Sequence, residues 1–303
     1  MSNFILIALC IAAGIFFRRS GSLPKDAHKG INAWIINIAL PAVSFKYLPY
    51  IEWNRELLLP ALAPVLVWLC AWLYITLYTR LRPGISKATQ GGLKLVTGLS
   101  NTSFVGFPLI TAYFGEQQLG IAIISDQVTF MLLSTIGIVV AIRSSQKEQL
   151  NLRNVARKLF RFPPLICCVL ALVLPRYVDL QPLQPLFEKL AATVGPLALF
   201  SIGLQLKFAG WQSEIRHIRV ALLYKLILAP ALVLGLISLF RVTGIIGQIS
   251  VFEMAMPTLL TSGIIADQYN LNPKLSNLVI GIGIVCSFIS TGLWWLLLHY
   301  LFP

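Results

Sequence analysis

The sequence predicts an all-α polytopic membrane protein. Ten transmembrane helices form two inverted five-helix repeats, and the fourth and ninth helices are broken and cross. Three observations predict this: long apolar stretches separated by short charged loops, an alternation of basic charge from loop to loop, and mid-span prolines set among small polar residues. Of the 303 residues, 57% are hydrophobic and 12% charged, whereas an average soluble domain carries about 25% charged residues. The apolar stretches run to about 20 residues, the length that crosses a hydrocarbon core of roughly 30 Å at the helical rise.

The spans fall at 3–17, 30–48, 57–79, 93–114, 118–142, 162–178, 190–207, 216–240, 246–268 and 275–300. The first could pass for a signal-peptide core, but Arg18 and Arg19 follow the apolar run, whereas a signal peptide carries its positive charges in front. It is therefore read as a short span entering the membrane from outside. Of the 24 lysines and arginines, 18 lie in the first, third, fifth, seventh and ninth loops and their flanks, five lie in the other loops, and Lys225 lies within a span. The positive-inside rule places the odd loops in the cytoplasm. Both termini then face outside, as expected for a multi-pass protein of the cytoplasmic (inner) membrane.

Residues 1–142 form the first repeat, 143–161 a basic cytoplasmic linker and 162–303 the second repeat. An odd number of spans per half inverts the second half relative to the first, a common transporter plan. The second span reads INIALPAVSF around Pro41 and the seventh TVGPLALFSIG around Pro196. The fourth reads NTSFVGFPLITAYFG around Pro108 and the ninth FEMAMPTLLTSGIIADQY around Pro257. The linker, with its six basic residues, is expected on the anionic lipid surface.

The fourth and ninth spans are the least lipid-like. Ser100, Asn101, Thr102, Ser103 and Gly106 precede Pro108, and such residues favour non-helical backbone. Irregular backbone at membrane depth must line a cavity or be buried in protein. Two broken spans in inverted orientation would cross near the bilayer centre, and their half-helix N-termini would favour an anion. A kink made only for helix packing is the plainer alternative. Glu253 lies one turn before Pro257, and Asp126 lies two turns into the fifth span beside Ser125 and Thr129. An intramembrane carboxylate is a functional-site hypothesis by default, set against a hydrogen-bonded packing role. Lys225 either snorkels to the surface or pairs with a carboxylate.

The net charge of +13 sits at span ends, where it sets topology and meets anionic lipid, so no nucleic-acid partner is expected. Cys10, Cys70, Cys167, Cys168 and Cys286 lie inside apolar spans and read as free thiols. His28, His217 and His299 are scattered and form no metal set. No Ser/His, paired-Asp or HExxH arrangement and no phosphate-binding GxxxxGK[ST] loop occurs, so neither an enzyme nor a primary pump is expected.

The run from Asn101 through Pro108 resembles the N-T-x-F-x-G-x-P crossover motif of the auxin efflux carrier family, whose bacterial members include malonate and malate permease-like proteins. ALPA at 39–42, Pro196-Leu-Ala-Leu with Gly203, and Met256-Pro257 resemble it too. The resemblance covers essentially the whole chain and is to the compact bacterial type, without the long cytoplasmic loop of the plant carriers. Thr258 and Leu259 depart from the small residues expected after the proline. The resemblance implies a scaffold of spans 1, 2, 6 and 7 and a transport unit of spans 3–5 and 8–10. It also implies elevator-like motion, a homodimer built through the scaffolds, and transport of a small organic anion. Sodium-coupled carriers of the wider superfamily bind their ion through residues similar in type to Ser100, Asn101, Ser125, Thr129 and Glu253.

The expected function is therefore secondary transport of a small carboxylate by alternating access, with sodium or proton coupling. The expected substrate residues are Asn101, Thr102, Ser103, Gly106, Pro108, Pro257 and Thr258. The ion-coupling residues are Ser100, Asn101, Ser125, Asp126, Thr129 and Glu253. No cofactor is expected beyond a sodium ion. An ion exchanger on the same fold, or a membrane receptor that moves nothing, would share most of these features.

Overall fold

A computed structural model describes residues 2–24, 26–50, 55–145, 163–206, 211–240, 242 and 244–302. Among these the regular elements are helical, and the one extended pairing is an isolated antiparallel bridge between Ser100 and Thr258. In chain order the helices are α1 Ser2–Ser20, α2 Ala27–Tyr50, α3 Arg55–Arg80 and α4 Lys87–Gly98. There follow α5 Thr102–Tyr113, α6 Glu116–Ser144, α7 Pro163–Arg176, α8 Gln181–Gln205, α9 Trp211–Leu239 and α10 Ile245–Met254. The last two are α11 Leu260–Gln268 and α12 Pro273–Leu301.

Seven of these, α1, α2, α3, α6, α8, α9 and α12, are long and apolar enough to cross a membrane, and α5, α7 and α10 are apolar but shorter. The predicted fourth span is occupied by α4 and α5, and the ninth by α10 and α11. The basic linker, 143–161, lies outside the described residues from 146 onward.

Proline shapes these helices in an unexpected way. A π-helical stretch of five residues ends two residues before each of three prolines: Ile35–Ala39 before Pro41, Thr102–Gly106 before Pro108, and Tyr224–Leu228 before Pro230. Proline lacks the N–H for an i→i−4 bond, and its ring clashes with that carbonyl. One extra residue in the preceding turn relieves the clash, and the helix runs on. In the described residues Pro108 therefore lies inside a helix. This corrects the expectation that Pro108 breaks the fourth span. The break is at Leu99–Asn101, between α4 and α5, whereas Pro257 does sit in the break of the ninth span.

The chain forms two compact units. The first comprises Met1–Trp53, Ser103–Ile123 and Phe160–Leu206. Its α1 and α8 meet backbone to backbone at Gly14 and Gly203. A Cβ on Gly14 would fall on the Phe200 carbonyl oxygen, and one on Gly203 on that of Ile11. Close approach over small residues is how helices associate where lipid removes the hydrophobic drive. Within the same unit the Ser201 hydroxyl donates to Asn32 Oδ1 at 2.6 Å. Glu116 takes Lys46 Nζ at 2.6 Å and the Tyr47 hydroxyl at 2.7 Å.

The second unit comprises Asn54–Thr102, Ile124–Leu159 and Lys207–Pro303. Its apolar core gathers Ile75, Leu93, Val96, Ile218, Leu275 and Val279 from α3, α4, α9 and α12. Two side chains tie helices across it: the buried Tyr224 hydroxyl donates to the Val67 carbonyl at 2.6 Å, and the half-buried Trp294 Nε1 donates to the Leu226 carbonyl at 2.8 Å. The second serves the carbonyl four residues before Pro230, where a neighbouring side chain supplies the partner that proline cannot.

Candidate functional site

Within the second unit the two broken spans pair through their unwound residues. The Asn101 N–H donates to the Pro257 carbonyl at 2.8 Å, and the Leu259 N–H donates to the Leu99 carbonyl at 3.0 Å. Between these bonds, Ser100 faces Thr258 in an antiparallel bridge. The Thr258 hydroxyl reaches back to the Val96 carbonyl at 2.6 Å, near the end of α4. Each unwound segment thus supplies main-chain partners to the other. The pairing sets Leu99 against Leu259, Ser100 against Thr258 and Asn101 against Pro257. Pro257 thus faces Asn101 in this pairing.

Around this crossing the side chains are polar and deeply buried. Asn101, Thr102, Asp126, Lys225, Glu253 and Thr258 are each 0% exposed. The Thr102 hydroxyl donates to Asp126 Oδ1 at 2.6 Å. Glu253, on the last turn of α10, interacts through space with both Asp126 and Lys225. Neither of its carboxyl oxygens makes a hydrogen bond among the described residues. Ser125 and Thr129 are buried as expected, but their hydroxyls serve the backbone. Ser125 Oγ donates to the Pro60 carbonyl at 2.9 Å, and Thr129 Oγ1 to the Ser125 carbonyl at 2.8 Å.

The remaining predicted residues fall in the first unit. Ser103 is buried, with no hydrogen bond to its hydroxyl among the described residues. Gly106 closes the π-helical stretch. Pro108 lines a cavity of about 210 Å³ with Asn3, Tyr47, Thr111, Glu116 and Pro196.

Lys225 is the residue whose place the sequence left open. It neither snorkels nor makes an ion pair among the described residues. Its ammonium donates to Ser100 Oγ at 2.7 Å and to the Met254 carbonyl at 3.0 Å. Lys225 belongs to the π-helical stretch before Pro230, and the extra residue there turns its side chain toward the crossing. The legible signal was a lysine deep in an apolar span, five positions before a proline.

A buried, proline-broken crossing with three ionisable side chains is transporter architecture rather than catalytic architecture. The sequence model of the Mem_trans family, described as membrane transport protein, matches residues 1–295. The chain belongs to this family. The match agrees with the resemblance to the auxin efflux carriers that the Asn101–Pro108 motif carries. An uncharacterized transporter of Methanocaldococcus jannaschii is 27% identical over 99% of both chains. An uncharacterized transporter of Methanothermobacter thermautotrophicus is 22% identical over 95% of both. A protein of Rhizobium meliloti, provisionally named a malonate transporter, is 27% identical over 90% of this chain and 88% of its own. This Mem_trans member is a membrane transporter and not an enzyme.

Proposed function

We propose that this Mem_trans protein is a secondary carrier of a small organic anion, working by alternating access about the crossing of its fourth and ninth spans. The observation that carries the reading is the buried pairing of Ser100–Asn101 with Pro257–Thr258, beside Asp126, Lys225 and Glu253. Half-helices α5 and α11 begin at the crossing, so their N-terminal amides and dipoles favour a carboxylate there. The Asn101 side-chain amide and the Thr102 and Thr258 hydroxyls are further polar groups for such a ligand. A dicarboxylate such as malonate is the first substrate to try, given the name of the Rhizobium relative.

The first unit draws on spans 1, 2, 6 and 7 together with Ser103–Ile123 of spans 4 and 5, so a scaffold of spans 1, 2, 6 and 7 and an elevator-like motion of the remainder rest on the family resemblance. A homodimer through that scaffold, residence in the cytoplasmic membrane and outward-facing termini belong to the same proposal. So does the inverted repeat, which the symmetric pairing of the unwound segments favours. For coupling, the Lys225 amino group sits at Ser100 Oγ and the Met254 carbonyl, oxygens that a sodium ion bridging the crossing would need. A proton, or the membrane potential alone, fits that arrangement better than sodium.

The test is uptake of radiolabelled malonate, malate and monocarboxylates into proteoliposomes under an imposed potential. Saturable uptake of at least one acid, cancelled by its unlabelled form, is the expected result. The Asp126–Lys225–Glu253 cluster favours a second reading, ion exchange without an organic substrate. Ion flux that proceeds in vesicles with no organic acid, together with no acid uptake, would establish that reading instead.

A further inference from the structure

We propose that Lys225 is a tethered counter-ion: its ammonium holds the position a sodium ion would need at the crossing, so the protein does not use sodium, and removing the lysine side chain creates a sodium site. The inference deepens the carrier reading and rests on it only for its consequence in transport.

Four observations lead to it. First, the ammonium donates to oxygens from both broken spans, Ser100 Oγ at 2.7 Å on one and the Met254 carbonyl at 3.0 Å on the other. An alkali cation bridging the two halves of the crossing would need the same oxygens. Second, the carbonyl belongs to the last residue of α10, the negative end of a half-helix, where a cation is favoured. Third, Glu253 is wholly buried, makes no hydrogen bond among the described residues, and feels the ammonium electrostatically. It is an anionic oxygen ligand in waiting, with Asp126 as a second carboxyl acting on it. Fourth, Lys225 is not placed there by chance rotation. The π-helical stretch before Pro230 directs it, and the neighbouring Tyr224 is anchored to Val67.

Chemistry supports the exchange. A lysine ammonium and a sodium ion carry the same charge and both demand oxygen ligands. The lysine differs in being covalently fixed, so it cannot dissociate and cannot carry gradient energy. A buried lysine of this kind is expensive in a membrane, and a packing role would be met as well by methionine. The position therefore calls for charge.

The experiment is thermal unfolding of the purified full-length chain in detergent, titrated with sodium chloride, potassium chloride or choline chloride at constant ionic strength. The native protein should melt at the same temperature in all three. K225A and K225S, which remove the charge and vacate its volume, should melt lower in choline and recover with sodium alone, along a saturable curve. K225M fills the volume and should show no sodium recovery. K225A combined with E253Q should lose it. Recovery of K225A or K225S from membranes only when sodium is present counts as the same result. Sodium stabilisation of the native protein overturns the proposal, as do folded K225A and K225S proteins that are blind to sodium. No substrate enters the measurement, so absence of organic-acid uptake would sink the carrier reading while leaving this result standing.

Discussion

The Asn101 N–H meets the Pro257 carbonyl at 2.8 Å, and Pro257, having no N–H, cannot return the bond. The return comes two residues later, from the Leu259 N–H to the Leu99 carbonyl. A proline at this point can accept from the other segment without leaving a buried donor unpaired. The crossing is thereby tied twice by backbone, leaving side chains at Asn101 and Thr102 to do other work.

The first prediction follows from that division. Asn101→Ala keeps the main-chain bond to Pro257 and removes only the side-chain amide. Hydrogen bonds to a charged group contribute about 1.5–3 kcal/mol, so substrate affinity should fall roughly ten- to a hundredfold. The melting temperature should stay near that of the native protein. Binding and uptake measured on the same preparation check both parts, and native uptake by this variant would remove Asn101 from the site.

A second prediction concerns the first unit. A methyl group on Gly203 would collide with the Ile11 carbonyl and the backbone of Gly14. Neither obstacle is the end of a flexible side chain, so α1 and α8 must separate. Overpacking of this kind costs about 1–3 kcal/mol. Gly203→Ala should lower the melting temperature, and Gly203→Leu should lower it further. Gly235→Ala serves as the control, since a Cβ there meets nothing within 4 Å.

Topology gives a third. The basic excess of the odd loops predicts both termini outside and the 143–161 linker inside. Single cysteines introduced into each, in a background with Cys10, Cys70, Cys167, Cys168 and Cys286 replaced, should label from opposite sides with a membrane-impermeant maleimide. A C-terminal cysteine labelled only from the cytoplasmic side would refute the ten-span parse.

Much of this was legible in the residues. The apolar lengths and the proline-rich polar runs announced a polytopic helical protein and pointed to spans four and nine, because lipid tolerates such sequence only inside protein. The residues at the crossing, Ser100 and Asn101 on one side and Pro257 and Thr258 on the other, were all among those singled out. What misled was the weight given to Pro108. Proline in a helix has two outcomes, a break or a π-helical accommodation, and residue type alone does not choose between them. Tertiary partners do. At Leu99–Asn101 another segment stands ready to satisfy the opened backbone, and at Pro108 the widened turn of Thr102–Gly106 does so internally. Lys225 was hard to place for a related reason. Its direction depends on a π-helical stretch that shifts the helical phase, so periodicity does not reveal which neighbours it reaches.

The last prediction concerns what drives transport. An anion entering the cell moves against an inside-negative potential, at about 2.3 kcal/mol per charge per 100 mV. Concentrative uptake therefore needs a co-transported cation, whereas efflux does not. With Lys225 at Ser100 and the Met254 carbonyl, two of the oxygens that would gather around sodium at the crossing already hold the lysine amino group. Glu253 keeps both carboxyl oxygens clear of hydrogen bonds among the described residues, and a carrier of one proton needs only one such group. Uptake by the native protein should then rise as the outside is made more acidic at fixed potential, and should be indifferent to replacing sodium by choline. Glu253→Gln carries the neutral form permanently, so its uptake should lose the pH dependence and should no longer concentrate substrate against the potential. It should still exchange labelled for unlabelled substrate. Native uptake that ignores pH as well as sodium would leave Glu253 and Asp126 as structural residues and identify a uniporter driven by the potential alone.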